Sequence, residues 1–205
     1  MSKSTNVLAS LMLAMALVCV IGSFGFGQTK TNNEESATVT GSHEYVDLGL
    51  PSGTLWATCN VGAYEPNEHG YYLIWKDTEK LQKKFGREKG WRTPTDAEWV
   101  ELYKNTDCSW TIINNMKGML CKASNGKSIF LPAGGVDHSH ISSDKILEYN
   151  FLGNYWSSSP YPQDSKRAIC FEFMQKDKDG VKKLLYEMRY KKRKVGMLVR
   201  PVRSK

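Results

Sequence analysis

The order of apolar and polar positions from residue 45 onward predicts short antiparallel strands joined by tight turns. Residues 45–50 alternate apolar and polar side chains, a Pro-Ser-Gly turn follows, and residues 54–58 return as a second strand. Two further hairpins are predicted around Asn125-Gly126 and Asp179-Gly180, because such dipeptides favour two-residue turns. The pattern is therefore dominated by local strand pairing.

Other segments are less regular. Residues 71–75 form a short apolar run that predicts a buried strand, residues 153–159 predict another, and residues 195–202 predict a closing strand. Residues 137–149 are polar and irregular, and we expect a long loop there.

Two helices are expected. Residues 77–89 are charged with apolar positions four apart, which is typical of a short amphipathic helix. A second helix should begin after Thr95 and run to about Asn105, because Thr95 and Glu98 have the spacing of a capping box and Pro94 ends the preceding extended segment. The fold class predicted from these elements is α+β, with mostly antiparallel short strands and hairpins and one or two short helices.

The amino terminus has the pattern of a secretion signal. Residues 7–21 are apolar apart from Ser10, and this run is short for a membrane span. Gly25 and Gly27 provide small residues before a cut at Gln28. We expect residues 1–27 to be a signal peptide, residues 28–43 a flexible linker, and residues 44–205 one folded domain. Cys19 raises the alternative of a lipid anchor, which the large Val18 before it disfavours.

Composition adds a positive charge to this picture. The formal net charge is +7 over 205 residues. Such a charge favours acidic partners, although surface lysines also simply keep an exported domain soluble. For an exported protein we expect partners at the cell surface and no nucleic acid.

Five sequence blocks in one order carry a family resemblance. They span residues 45–63 (YVDLGLPSGTLWATCNVGA), 90–102 (GWRTPTDAEWVEL), 125–135 (NGKSIFLPAGG), 153–159 (GNYWSSS) and 196–203 (GMLVRPVR). Together they resemble the Fibrobacter succinogenes major paralogous domain family of exported bacterial proteins. The resemblance implies the C-type lectin fold, which that family shares with formylglycine-generating sulfatase-modifying enzymes.

The resemblance also implies a ligand face. C-type-lectin-like domains build that face where Asn154, Tyr155 and Trp156 stand here, beside a polar loop that carries Tyr161 and Asp164. Aromatic rings stack on sugars and anchor protein contacts. Core packing is the competing interpretation, above all for Trp156.

Metal-binding patterns are incomplete. Glu65-Pro66-Asn67 matches the tripeptide of calcium-dependent lectins but lies early in the domain, so we interpret it as a loop turn. Residues 177–180 hint at a calcium loop but are better explained as a hairpin turn, and His138 and His140 have no further ligands by spacing. We expect neither metal nor cofactor, and we expect the cationic turn at residues 191–194 to be solvated.

The exported part contains four cysteines, namely Cys59, Cys108, Cys121 and Cys170. An even number in an oxidising compartment is compatible with two disulfides, for which three connectivities exist. The family resemblance implies Cys59–Cys108 and Cys121–Cys170. The formylglycine-generating enzymes use a cysteine pair near the carboxyl end, and this chain has no cysteine after Cys170.

These observations favour an exported, non-catalytic module that binds a glycan or a protein at the cell surface. A structural component of a surface fibre or envelope assembly is the alternative, and an enzyme of the formylglycine-generating type is the third hypothesis. Localisation in the periplasm, on the outer surface or outside the cell is expected, without a membrane span after signal cleavage.

Overall fold

The computed structural model of the protein describes residues 44–85, 90–139 and 146–205. The signal peptide, the linker, Cys19 and His140 of the sequence predictions lie outside these residues. Within these three ranges, two helices and eleven strands follow one another. Their order is β1 (Tyr45–Asp47), β2 (Leu55–Ala57), α1 (Trp75–Phe85), α2 (Asp96–Lys104), β3 (Thr106–Ile113), β4 (Met116–Ala123), β5 (Ser128–Pro132), β6 (Val136–Asp137), β7 (Ile146–Leu147), β8 (Leu152–Pro160), β9 (Arg167–Lys178), β10 (Val181–Lys192) and β11 (Val202–Arg203).

The strands form small antiparallel sheets. Their orders are β1-β2-β11, β3-β4-β5, β10-β9-β8 and the two-stranded β6-β7. Each of the three predicted hairpins is present, since β1 pairs with β2, β4 with β5 and β9 with β10. The molecule is thus broadly α+β and mainly β, as the sequence predicted. In the part of the chain that the structure describes, neither helix has the length and apolarity needed to cross a membrane.

Helix α2 begins with the predicted capping box. The Glu98 backbone N–H donates to the Thr95 hydroxyl at 3.2 Å, and the Thr95 backbone N–H donates to the Glu98 carboxylate at 2.8 Å. Arg92 adds a bidentate contact to the same carboxylate, at 2.7 and 2.5 Å. The buried Trp99 and Leu102 then face the core, so the capping contacts fix the orientation of that apolar face.

The strands β8 and β9 carry core side chains on both faces. Tyr155 lies opposite Phe171, and both belong to a cluster built around Trp99. The next pair along the strands, Trp156 and Cys170, points to the other face and joins a second cluster. Alternation along a strand explains this division, because successive side chains point to opposite faces. The strand segment named by the family resemblance is therefore the centre of the core.

Three sequence predictions need correction. Residues 71–75 do not form a strand: only Leu73 makes an isolated bridge, to Met197, and Trp75 begins α1. The predicted closing strand at residues 195–202 is reduced to β11, preceded by isolated bridges. Strand β3 was not predicted, although Cys108, Trp110 and Ile112 alternate with polar residues as they do in a strand with one apolar face.

Candidate functional site

A cleft with a volume of about 480 Å³ opens where three separate chain segments meet. Its walls come from residues 62–70, from the turn between β3 and β4, and from the segment that precedes β8. The lining is rich in amide side chains, namely Asn67, Asn114, Asn115 and Asn150. Clefts of this size accommodate small ligands or a few sugar units.

The first wall is a turn centred on the Glu-Pro-Asn tripeptide. The Glu68 backbone N–H donates to the Glu65 carbonyl at 3.1 Å, which confirms the turn predicted there. The Glu68 carboxylate accepts from the Tyr64 N–H at 2.8 Å and closes the loop. This folding leaves Asn67 on the cleft wall, so a residue of the lectin-like tripeptide lines the cleft although the tripeptide itself is a turn.

The buried Asn60 side chain stabilises the same loop through hydrogen bonds. Its side-chain amide donates to the His69 carbonyl at 3.0 Å and to the Tyr155 hydroxyl at 3.3 Å. Gly70 ends this wall with φ of +73°, and a Cβ there would lie 2.2 Å from the Val61 carbonyl oxygen. The close approach requires glycine at this position of the cleft wall.

The second wall is the two-residue turn of the β3–β4 hairpin. Asn114 and Asn115 have φ of 48° and 65°, the left-handed pair typical of a type I′ turn. Asn114 Nδ2 lies 3.5 Å from Asn67 Oδ1, which links the first and second walls. Asparagine tolerates this backbone conformation and adds polar groups at the same positions.

Tyr149 and Asn150 complete the lining. The Asn150 side chain accepts from the Lys117 N–H at 2.6 Å and donates to the Asn115 carbonyl at 3.2 Å, so its amide mainly holds the hairpin tip in position. The Tyr149 ring meets the His69 ring edge-on with centroids 5.7 Å apart. Tyr149 is 43% exposed and therefore offers ring surface to a ligand.

Behind this lining, Tyr72 packs against His69 with ring centroids 5.3 Å apart. Its hydroxyl donates to the Gly134 carbonyl. Burial raises the pKa of Tyr72 well above its usual range, so the phenol stays protonated and keeps this bond. Tyr72 thus supports the cleft as a neutral hydrogen-bond donor.

Three of the residues assigned to a ligand face lie elsewhere. Asn154, Tyr155 and Trp156 are completely buried. Tyr155 donates to the Pro132 carbonyl at 2.9 Å, and Trp156 Nε1 donates to the Leu73 carbonyl at 2.7 Å. The expectation of ligand contact is corrected for these three residues, because side chains without accessible surface cannot touch a ligand in this structure.

Tyr161 and Asp164 do lie at the surface, away from the residues that line the cleft. Tyr161 stacks on Tyr190 with ring centroids 4.1 Å apart. The Asp164 carboxylate is 3.2 Å from Arg167 Nε, and the Arg167 guanidinium lies over the Tyr190 ring at 5.3 Å. Tyr161, Asp164, Arg167 and Tyr190 thus form a small aromatic and charged surface patch. The role of Tyr161 and Asp164 in ligand binding stays a prediction.

The remaining sequence patterns have structural explanations. The Gly180 N–H donates to the Asp177 carboxylate at 3.0 Å within a hairpin turn, as predicted. In the cationic turn, Lys191 pairs with Glu172 at 2.9 Å and Arg193 lies 4.0 Å from the centre of the Trp75 ring. Over the described ranges, which include His138, no three His, Cys, Asp or Glu side chains come together in a way that could hold a metal ion.

The cysteines do not follow the connectivity that the family resemblance implied. Cys59, Cys108, Cys121 and Cys170 are all free thiols in this structure. Cys108 and Cys121 lie opposite each other on β3 and β4, with Sγ atoms 3.6 Å apart. The pairings Cys59–Cys108 and Cys121–Cys170 are therefore not formed. Either pairing would require the adjacent thiols of Cys108 and Cys121 to move apart.

Sequence reasoning missed Asn114, Asn115, Tyr149 and Asn150. A consecutive Asn-Asn between two strands is a recognisable turn, and it was available in the sequence. The meeting of that turn with residues 62–70 depends on the tertiary fold and had no local signal.

The chain was also compared with known proteins. No family model, no curated protein and no solved structure matched it. The cleft is therefore interpreted from its own residues.

Proposed function

We propose that this protein is an exported, non-catalytic binding module and that the cleft binds a glycan at the cell surface. The observation that carries the proposal is the convergence of four asparagine side chains and an exposed tyrosine ring in one cavity. Polar groups placed by a rigid scaffold at loop positions are typical of binding sites.

The amide groups suit sugar hydroxyls. An asparagine side chain offers both an acceptor oxygen and two donor hydrogens, so neighbouring hydroxyls can be bound by one residue. Asn67 and Asn114 contact each other only at 3.5 Å, so each retains hydrogen-bonding capacity toward the cleft.

Exposed aromatic rings surround the cleft residues. Tyr64 and Tyr71 are 76% and 63% exposed, and a Cβ on Gly62 would lie 2.4 Å from the Tyr71 ring, so Tyr71 covers a lining residue. Phe151, next to Asn150, is 67% exposed and lies under the Lys117 ammonium at 4.8 Å. Large exposed rings near a polar cavity favour stacking on sugar faces over a purely structural explanation.

The C-type-lectin-like fold and the family membership are part of this proposal. They are supported by the five ordered sequence blocks, by the mainly antiparallel sheets and by the two helices. Export is supported by the apolar run at residues 7–21 and the small residues before Gln28. Amino-terminal sequencing of protein recovered from cell fractions tests export; an uncleaved cytoplasmic chain would contradict it.

The binding test uses an array of neutral and acidic glycans probed with protein expressed from the full chain, followed by calorimetry on each glycan retained. We expect Tyr149→Ala and Asn67→Ala each to weaken binding about tenfold or more, the equivalent of about 1.4 kcal/mol. Tyr161→Ala is the matched control, because it removes an aromatic ring from the other surface patch.

The outcomes separate the hypotheses. Loss of binding in Tyr149→Ala with normal binding in Tyr161→Ala supports the cleft. The reverse result would move the site to the Tyr161 and Asp164 patch predicted from the sequence. No glycan retained above background would overturn the proposal of a glycan ligand.

A structural component of a surface assembly is the second candidate. It is favoured by β10, a twelve-residue strand at the edge of its sheet. Charged side chains on an edge strand discourage pairing with another chain, and β10 carries six, namely Lys182, Lys183, Glu187, Arg189, Lys191 and Lys192. We therefore rank this function below glycan binding; a concentration-dependent oligomer in analytical ultracentrifugation would reverse the order.

A further inference from the structure

Two cysteines occupy directly opposed positions on neighbouring strands. Cys108 of β3 and Cys121 of β4 are Cα partners in the antiparallel register, and their Sγ atoms are 3.6 Å apart. This distance corresponds to thiols in contact without a covalent bond. The proposed glycan cleft does not use either residue, but oxidation after export rests on the export proposed above.

The rung that carries the two cysteines is of the close, non-hydrogen-bonded type. Lys117 and Ala123 are each an even number of residues from Cys121, and both face the β5 side with their backbone groups. The Lys117 carbonyl accepts from the Ala133 N–H, and the Ala123 N–H donates to the Lys127 carbonyl. Cys121 must do the same, because backbone direction alternates along a strand. In such rungs the Cα atoms lie about 4.5 Å apart, which is within the range that a disulfide spans.

The two thiols differ in access and acidity. Cys121 is completely buried, whereas Cys108 is half-buried on an edge strand. The Cys121 thiol lowers the pKa of Cys108, and contact with Cys108 together with burial raises the pKa of Cys121. Since the thiolate is the nucleophile in disulfide exchange, Cys108 is the attacking residue and Cys121 the resolving one.

We propose that Cys108 and Cys121 form a thiol–disulfide exchange site that is oxidised to a disulfide after export. The Cys108 thiolate attacks a disulfide of the oxidant and releases one oxidant thiol. The Cys121 sulfur then attacks Cys108 in the mixed disulfide and releases the second. In balance, the two cysteines lose two electrons and two protons, and the oxidant disulfide becomes two thiols.

The other two cysteines have different surroundings. Burial raises the pKa of Cys170 to about 12, and this thiol packs in the second core cluster. The Cys59 thiol donates to the Tyr64 carbonyl at 3.4 Å. Both should remain thiols when Cys108 and Cys121 are oxidised.

The bond would fasten β3 to β4 at the end of the hairpin remote from its turn. That turn carries Asn114 and Asn115, so oxidation would restrict the hairpin that forms one wall of the cleft. The proposal itself concerns only the chemistry of the two sulfurs and holds whatever the cleft binds.

Peptide mapping tests it directly. The protein expressed from the full chain is equilibrated with mixtures of reduced and oxidised glutathione, alkylated and digested with trypsin. Cleavage after Lys104, Lys117 and Lys122 puts Cys108 and Cys121 on the separate peptides 105–117 and 118–122. We expect these two peptides to be joined by one disulfide, with Cys59 and Cys170 alkylated. A disulfide that includes Cys59 or Cys170 would overturn the proposal, and so would alkylation of both Cys108 and Cys121 in excess oxidised glutathione.

Single variants test the assigned roles. Cys121→Ser should accumulate a glutathione mixed disulfide on Cys108, because the resolving thiol is missing. Cys108→Ser should form little adduct on the buried Cys121, and Cys59→Ser should behave as the unchanged protein. Equal adducts in the first two variants would contradict the assignment of Cys108 as the attacking thiol, and the mapping of the unchanged protein decides the disulfide even if a variant does not fold.

Discussion

Arg200 Nε donates to Asn60 Oδ1 at 2.8 Å in the interior of the molecule. The guanidinium is completely buried and also donates to the backbone carbonyls of Ala57, Thr58 and Phe130. Burial lowers the pKa of Arg200, but the four acceptors solvate the cation. Since Asn60 in turn holds the His69 carbonyl, this pair connects the carboxyl-terminal segment to the wall of the cleft.

Replacing Arg200 by Met should destabilise the protein by about 3 kcal/mol or more, because buried acceptors lose their donor. Arg200→Lys should not restore stability, since a single ammonium group cannot reach all four acceptors. Urea denaturation measures both. Arg189→Met is the control, because Arg189 is half-exposed and its loss should change stability by less than about 1 kcal/mol; equal effects at the two positions would contradict the prediction.

The protein should become less stable at acidic pH because the Glu98 carboxylate becomes protonated. Burial alone would raise the pKa of Glu98, but the hydrogen bonds from Arg92 and Thr95 outweigh it and lower the pKa from 4.5 to about 2. A group whose pKa is lowered by folding stabilises the folded state at any pH above its pKa in the unfolded chain. The contribution of Glu98 is therefore complete above about pH 4.5 and is lost as the pH falls toward 2. Its size is on the order of 3 kcal/mol.

Urea midpoints measured from neutral pH down to about pH 2 check this. Glu98→Gln should be less stable at neutral pH and should show a flatter profile below pH 4.5. Glu187→Gln is the matched control, since Glu187 makes an exposed ion pair with Arg189 at 2.6 Å. An unchanged acid profile in Glu98→Gln would refute the assignment.

The sequence predicted those elements whose cause is local. Asp179-Gly180 forms a two-residue turn, and Asn125-Gly126 lies in a hairpin turn that is one residue longer, between the paired Ala123 and Lys127. Thr95 with Glu98 determines a helix start, so these elements are where they were expected. The strand predicted at residues 71–75 was wrong, because a short apolar stretch does not distinguish a strand from a buried loop followed by the first turn of a helix. Tertiary contacts determine the conformation of this segment, since the Trp75 N–H donates to the Arg193 carbonyl.

The cleft could not be predicted in the same way. The five blocks that carry the family resemblance contain core residues such as Trp56, Trp99 and Arg200. Of the cleft residues, Asn67, Asn114 and Tyr149 lie outside all five blocks. The resemblance therefore pointed to buried residues, whereas the cleft is lined by three loops that are distant in sequence and meet only in the folded structure.

The cleft wall should depend on Gly70. Gly70→Ala introduces a Cβ 2.2 Å from the Val61 carbonyl oxygen, in addition to the cost of a left-handed backbone. Gly126→Ala is the control, because its φ of +80° carries the same backbone cost with no heavy atom within 4 Å. We expect Gly126→Ala to cost about 1 kcal/mol and to bind normally, and Gly70→Ala to cost more and to lose glycan binding. Equal stabilities with intact binding in both variants would contradict the role of Gly70.

Replacing Asn154 and replacing Asn60 should have opposite effects on stability. Both side chains are completely buried, but within the described part of the chain neither amide atom of Asn154 has a hydrogen-bond partner, whereas Asn60 bonds Arg200, His69 and Tyr155. Asn154→Leu keeps the branching at Cγ and removes two unpaired polar atoms, so stability should stay equal or rise by about 1–2 kcal/mol. Asn60→Leu should lower it by about 2 kcal/mol or more. Thermal and urea unfolding measure both variants, and Asn154→Leu should bind glycan as the unchanged protein does; loss of binding in a stable Asn154→Leu protein would restore Asn154 to the ligand site.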